Sequence, residues 1–286
     1  MIKEEYLNNL FSREVLVLAN DDPFHYRDRM DFVYQNGSLG LRKKGDFKTV
    51  IPIDTCHLIP REFQDSCTKV QNLLKKYQFP HYDIQDHTGF LRYIVFRYAE
   101  STNQLMLIIT TANPVDDQEE KLNAFIKELS ARSIYWLVSD SITDVSIPVV
   151  SPRLIQGEKT IQEKIGNYLF HISPYSFFQA NVKMAARIFE EIKEELRGPT
   201  VDLCCGVGSI GLFVSEKATS ITGIEEVAPA IDLAKQNKEL NRNTNATFFA
   251  SDMKNILDFT PLDVQTLIVD PPRAGLGKKV VKRIKE

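Results

Sequence analysis

Residues 200–225 read TVDLCCGVGSIGLFVSEKATSITGIE, and this stretch decides the fold. VDLCCG is a short apolar run suited to a buried strand and ends in Gly206, SIGLFVSEKA reads as a helix, and SITGIE is a β-branched strand closing on Glu225. Strand, glycine turn, helix and strand in direct succession is the grammar of a parallel α/β sheet. The alternation continues through VAPAIDLAKQNKELN as helix, with ATFFASD and TLIVDPP as further strands. About four parallel strands can be read after Thr200. A doubly wound sheet has two halves, so the reading predicts a Rossmann-like domain that is C-terminally incomplete.

Working outward toward the N-terminus, the pattern is mixed α and β. Residues 29–35, RMDFVYQ, read as a strand, and Asn36-Gly37 then turns the chain into SLGLRKK, a hairpin signal. FLRYIVFRYA and QLMLIITT form a second β pair bridged by Ser101 to Asn103, and a further strand is expected from Ser133 to Ser139. After Pro114, Leu122, Phe125, Ile126 and Leu129 recur at helical spacing. A last helix is expected from Asn181 to Arg197, with Val182, Ala185, Phe189, Ile192 and Leu196 on one face and Gly198-Pro199 as its stop. These elements divide the chain near residue 170, into a central α+β domain (1–170) and the partial Rossmann-like domain (171–286).

Composition narrows the function classes. The 286 residues are 43% hydrophobic and 26% charged with a formal net charge of −3, enough apolar material for a substantial core. No apolar run approaches the roughly 18 residues of a membrane span, and MIKEEYLNNLF lacks the layout of a signal peptide. Cys56, Cys67, Cys204 and Cys205 are scattered or adjacent, a poor disulfide framework, so a reducing cytoplasm is the expected setting, without a membrane. The charge balance excludes a polycation but is compatible with a local basic surface for RNA.

Gly206 and Gly208 let the backbone approach a ligand closely, and Glu225, about 20 residues on, can accept from ribose hydroxyls. An adenosine-containing cofactor follows. Gly211 completes GxGxxG, which keeps a nicotinamide-dependent dehydrogenase open, and tight helix–sheet packing explains the same glycines without any ligand. Three features favour S-adenosylmethionine: Asp202 opens the glycine strand, Asp252 follows the third strand, and Asp270-Pro271-Pro272-Arg273 sits at the carboxyl edge where such folds bind ligands.

Ser176-Phe177-Phe178-Gln179-Ala180-Asn181, Asp202-Leu203-Cys204-Cys205-Gly206-Val207-Gly208, Gly223-Ile224-Glu225 and Asp270-Pro271-Pro272-Arg273-Ala274-Gly275 together resemble the motifs of the RNA uracil-C5 methyltransferases, which act on tRNA and 23S rRNA. Tyr26-Arg27, Cys56-His57-Leu58-Ile59-Pro60 and Leu91-Arg92 fit that family's middle domain. The resemblance implies a cofactor pocket lined by Gln179, Cys204, Ser209, Glu225, Asp252 and Asp270, with Gly206 and Gly208 shaping its floor, while Asp202, opening the glycine strand, is placed to reach the cofactor's amino-acid end. Cys204 replaces the family's usual aromatic, and Asp252 stands where some members have Asn.

Uracil C5 is too weak a nucleophile to take a methyl group, so these enzymes add a cysteine thiolate to C6 and later remove the C5 proton with a base. The resemblance places that cysteine and base beyond Glu286, so no catalytic residue is assigned within the chain, which is expected to be inactive alone. Cys56 resembles the fourth thiolate of members that carry a [4Fe-4S] cluster, a ligand only in a longer parent; a plain buried cysteine is the alternative.

Arg27, Arg29, Arg42, Lys43, Lys44, Lys48, Arg92, Arg97, Lys278, Lys279, Lys282, Arg283 and Lys285 are candidate phosphate contacts. Phe178 and Arg273 are candidate neighbours of a uracil flipped out of an RNA loop. Two other readings remain: an amino-methyltransferase, whose (D/N)PP is usually followed by an aromatic rather than Arg273, and a cofactor- and RNA-binding remnant without catalysis.

Overall fold

The computed structural model describes residues 17, 19–20, 22–259, 263–273 and 275–284. Its first hairpin pairs β1 (Arg29–Gln35) with β2 (Ser38–Lys43), and Asn36 and Gly37 both take the positive φ that a tight two-residue turn requires. β3 (Asp46–Pro52), helix α1 (Arg61–Tyr77), β4 (Leu91–Ala99) and β5 (Gln104–Thr111) follow. Helix α2 (Gln118–Lys127) then crosses over to β6 (Ser133–Val138), which pairs parallel to β5, and β7 (Arg153–Gly157) closes the sheet. The strand order is β3-β2-β1-β4-β5-β6-β7, and every neighbouring pair except β5–β6 is antiparallel.

Strand alternation splits this sheet into two apolar faces. Ile94, Phe96 and Tyr98 of β4, with Leu107 and Ile109 of β5 and Trp136 of β6, face α1 and α2 through Phe63, Leu74, Phe125 and Ile126. Tyr93, Val95, Met106, Ile108 and Leu137 face the other way, into a cluster shared with the C-terminal half. β4 through β6 are therefore covered on both sides, which is why they read as continuous apolar runs rather than alternating ones.

A separate hairpin, β8 (Ile161–Ile165) with β9 (Tyr168–Ile172), lies on that second face and leads into helix α3 (Val182–Glu195). Asn181 caps α3, its side chain accepting from Met184 N–H at 3.0 Å. The C-terminal sheet runs β12 (Ala246–Ala250), β11 (Ile221–Glu225), β10 (Thr200–Leu203), β13 (Thr266–Val269), all parallel, with α4 (Ser209–Val214) and α5 (Ala228–Leu240) as crossovers and α6 (Lys278–Ile284) after β13. The expected α/β class is thus observed, as mixed α+β followed by a parallel Rossmann-like sheet.

Several details depart from the sequence reading. α4 stops at Val214 instead of running to Ala218, because Ser215 Oγ donates back to Leu212 O and Asn243 Nδ2 donates to the same hydroxyl. β3, β7, β8 and β9 were not anticipated. β3 and β7 are exposed edge strands with little apolar pattern, and in β8 the inward triplet Ile161, Glu163, Ile165 hides its alternation behind a charge.

Candidate functional site

Sheet register assembles the site. Leu203 pairs with both Ile224 and Val269, so Cys204, Glu225 and Asp270 leave the carboxyl ends of three adjacent strands at one level. β12 sits outside Glu225, and Asp252 follows it two residues past Ala250. The chain then turns sharply: Cys204, Gly206 and Gly208 all have positive φ, and Gly208 is the cap of α4. A Cβ on Gly208 would strike the Phe248 ring at 2.8 Å, whereas a Cβ on Gly206 would project into open space. Gly208 is therefore small for packing, and Gly206 leaves the backbone bare on the side where a ligand could lie. Ser209 begins α4, half-buried behind this turn.

Glu225 accepts from Gly206 N–H at 3.2 Å and from Val227 N–H at 3.0 Å, which fixes its carboxylate at the lip of the glycine turn. Asp202 is fully buried beneath it, and its Oδ2 accepts from Gly211 N–H at 2.9 Å while Oδ1 is buried without a partner. Burial, reinforced by the nearby Asp270 and Glu225 carboxylates, raises Asp202 to about 7. The Asp202 side chain thereby braces the first turn of α4 from behind. With Asp202 buried beneath them, Glu225 and Asp270 set two carboxyl groups on one edge, an acidic surface that would attract a cationic ligand.

The opposite wall is the segment 173–182, and Gln179 on it donates from Nε2 to Asp270 Oδ2 at 3.3 Å. This contact joins the SFFQAN and DPPR motifs, which stand 91 positions apart in the chain. Phe178, expected beside a substrate base, is 8% exposed and packs against Phe170, while its neighbour Phe177 is 64% exposed. The accessible aromatic is thus Phe177, which sequence reasoning missed because the doublet gives no hint of which ring points inward. Arg273 is exposed two residues past the turn's first proline, and Ala274 lies outside the described residues.

The basic candidates separate by burial. Arg92 is buried and donates to the carbonyls of Ser139, Ser141 and Thr143; Arg97 is buried and donates to Ser173 O and Ser176 O. Both are structural cross-links, since their terminal nitrogens are spent on backbone carbonyls inside the fold, and neither is a phosphate contact. Arg29 pairs with Asp31 and Arg42 with Asp144. Arg27, Lys43, Lys44, Lys48, Lys278, Lys279, Lys282 and Arg283 remain on the surface, and Lys285 lies outside the described residues.

Three of the four thiols are held protonated. Burial, with Glu225 and Asp202 adding, pushes Cys204 up to about 11; burial also raises Cys205, and it raises Cys67 beside Cys56. Cys56 and Cys67 are half-buried in the α1-side core. Among the described residues no three His, Cys, Asp or Glu side chains converge as a metal site, so Cys56 has no cluster partners there. Nor is any described helix long and apolar enough to cross a membrane.

Comparison with known proteins agrees with this geometry. Residues 167–285 match the family described as Methyltransferase small domain. An uncharacterized RNA methyltransferase of Nanoarchaeum equitans is 32% identical over 99% of this chain and 63% of its own length. A tRNA (uracil(54)-C(5))-methyltransferase of Pyrococcus furiosus is 29% identical over 99% of this chain and 67% of its own. The crystal structure of the Pyrococcus abyssi tRNA (uracil-54, C5)-methyltransferase with S-adenosyl-L-homocysteine superposes with a TM-score of 0.82 at 27% identity, covering 99% of this chain and 69% of that one. The chain spans just over three-fifths of the length of the first curated relatives it matches. Fold, the SFFQ–DPPR contact and these likenesses agree in making the chain similar to RNA methyltransferases, among them the tRNA (uracil-54, C5)-methyltransferases of two Pyrococcus species.

Proposed function

We propose that this chain forms the cofactor- and RNA-binding portion of an S-adenosylmethionine-dependent methyltransferase that modifies C5 of a uridine in tRNA. The observation that carries the reading is the Gln179–Asp270 contact beside the glycine turn, which brings the two most diagnostic motifs to the sheet edge also marked by Glu225. The P. furiosus and P. abyssi relatives, both named as enzymes of tRNA, favour tRNA over 23S rRNA.

The residues fit the cofactor. Gly206 leaves bare backbone facing open space, Glu225 is fixed at the level expected for ribose hydroxyls, and Asp270 with Gln179 forms a polar wall opposite. Cys204, Ser209 and Asp252 border the same edge, and the buried Asp202 holds the turn rigid from below. When bound, the cofactor supplies a methyl group on a positively charged sulfonium. Around it, the acidic edge attracts that charge, the glycine turn allows close approach, and Phe177 offers a ring on which an unstacked base can stack. In this reading the Asp270 carboxylate, already accepting from Gln179 at the sheet edge, would also accept hydrogen bonds from the cofactor or the base.

Calorimetric titration of S-adenosylhomocysteine and NADH against the purified chain tests the reading. Binding of the first and not the second is expected; NADH binding alone would return the glycine motif to the dehydrogenases. For the chemistry of the whole enzyme, tritium release from C5-labelled uridine in tRNA is the decisive measurement. Methyl incorporation without tritium release would move the reaction to an amine.

A further inference from the structure

Away from the cofactor edge, three ionisable side chains meet in a buried position that no proposed step uses. Asp28, just before β1, is 6% exposed; Arg97, on β4, is 4% exposed; Glu163, the inward charge of β8, is 1% exposed. All three line one small cavity, whose remaining wall includes Phe178, Gln179, Ala180 and Val182. The space open to the centre of a water-sized body is about 20 Å3, room for a single occupant.

The hydrogen-bond inventory around the cavity is specific. Asp28 Oδ2 accepts from Val182 N–H at 3.3 Å, Glu163 Oε1 accepts from Ser101 and Lys164 N–H at 3.2 and 2.7 Å, and Arg97 donates its terminal nitrogens to Ser173 and Ser176. Each side chain then keeps one buried polar atom without a protein partner: Asp28 Oδ1, Glu163 Oε2 and Arg97 Nε. With Asp28 ionised, above its raised pKa of about 7, two are acceptors and one is a donor. A water molecule donates two hydrogen bonds and accepts at least one, so a single water matches the set, whereas a metal cation would face the Arg97 N–H.

Two of these residues, Asp28 and Arg97, hold the segment that carries Gln179, Asp28 Oδ2 accepting from Val182 N–H at its end. Asp28 N–H donates to Ala180 O at 2.8 Å, Asp28 O accepts from Tyr98 N–H, and Arg97 clamps the carbonyls of Ser173 and Ser176. We propose that the cavity is a built site for one water molecule, and that Asp28, Arg97 and Glu163 are positioning residues that act through it to fix segment 173–182. The strut links β1, β4 and β8 of the N-terminal half to the wall of the cofactor edge. Its consequence for ligand binding rests on the cofactor reading above; its effect on the segment does not.

The test uses Asp28→Asn, Glu163→Gln and their combination, which keep size and leave Arg97 in place. Either single change leaves one carboxylate to accept from the water. The pair presents three N–H donors to a water that then has no acceptor, so the occupant is lost. Amide hydrogen exchange across residues 173–181, referenced to the core strand β5, should rise less than about threefold in each single variant and tenfold or more in the double, the scale of a lost buried hydrogen bond. Additive effects would overturn the shared occupant. A crystal structure resolving ordered waters should show one peak within about 2.6–3.2 Å of all three atoms; no peak, or a peak coordinated as a cation, would overturn it too. Affinity for S-adenosylhomocysteine should follow the exchange data. If the parent chain fails to bind it while exchange behaves as expected, the cofactor reading falls and the strut stands.

Discussion

The two sheets of this molecule differ in how completely they are covered. β4, β5 and β6 lie between helices on one face and the C-terminal half on the other, and β4 is buried along its whole length. β13 of the parallel sheet carries Leu267 and Val269, each more than a third exposed. The first sheet is a scaffold saturated with packing, and the second is a platform that presents Cys204, Glu225 and Asp270 at the carboxyl ends of three adjacent strands. Stability should therefore reside in one and ligand response in the other, and substitutions can separate them.

The largest expected effect is in the scaffold. Phe96→Ala removes a ring that contacts Phe32 and Phe63 in a fully buried site, and should cost about 3–5 kcal/mol in urea unfolding, whereas Leu267→Ala should cost less than about 1 kcal/mol. Equal costs would mean that the platform is packed as tightly as the scaffold.

The next contrast is in pH dependence. Asp28, between the halves, and Asp202, under the platform, are both raised to about 7, in each case chiefly by burial. The unfolded chain releases these protons near pH 4 and the folded one near 7, so the folded state binds more protons in between and stability falls as pH rises through that window. Each group contributes up to roughly 1.4 kcal/mol per pH unit there. Urea midpoints should drop from pH 5 to pH 7, and Asp28→Asn should flatten the slope by about half. A midpoint that rises over that range in the parent chain would contradict both assignments.

The same division explains what the sequence made legible. The platform is read easily because its signals are local: glycines where φ must be positive, an acid at a strand end, Asp-Pro-Pro at the next. The strands of the scaffold are equally plain, since burial on both faces demands unbroken runs such as LRYIVFRYA. Arg92 and Arg97 inside that run were misread as surface cations, because nothing in sequence distinguishes an arginine that spends its donors on carbonyls from one that meets phosphate. The β8–β9 hairpin was missed for a related reason: Glu163 occupies an inward position, and a buried charge breaks the apolar pattern that periodicity depends on. Which ring of Phe177-Phe178 faces out is a property of how Arg97 and Asp28 hold the segment, and that is visible only in three dimensions.

Within the platform, Gly206 and Gly223 should behave as opposites. A Cβ on Gly223 meets the Phe248 ring at 2.3 Å and Cys205 Sγ at 3.0 Å, so Gly223→Ala should destabilise the fold by about 2 kcal/mol, as overpacking does. Gly206→Ala meets no protein atom but carries the strain of φ +53 and fills the ligand side, so the fold should lose about 1–2 kcal/mol from backbone strain alone while S-adenosylhomocysteine binding weakens tenfold or more. Calorimetric Kd values beside urea midpoints separate the two outcomes. Unchanged affinity in Gly206→Ala would place the ligand elsewhere on the edge.

The smallest effect is confined to RNA. Phe177 and Phe178 are adjacent, yet one is exposed and the other packs on Phe170 within the cluster that joins the halves. Truncating Phe177, 64% exposed, removes little packing, so stability and S-adenosylhomocysteine affinity should stay within about 0.5 kcal/mol of the parent. A lost base–aromatic stack should weaken binding of a uridine-containing tRNA loop by about 1–2 kcal/mol, or roughly five- to thirtyfold. Phe178→Ala should instead lower stability and weaken both ligands together, because it loosens the segment that presents Gln179 to Asp270. If Phe177→Ala leaves RNA affinity intact, the ring is not where the base stacks, and Arg273, exposed on the facing turn, becomes the side chain to test against the flipped uracil.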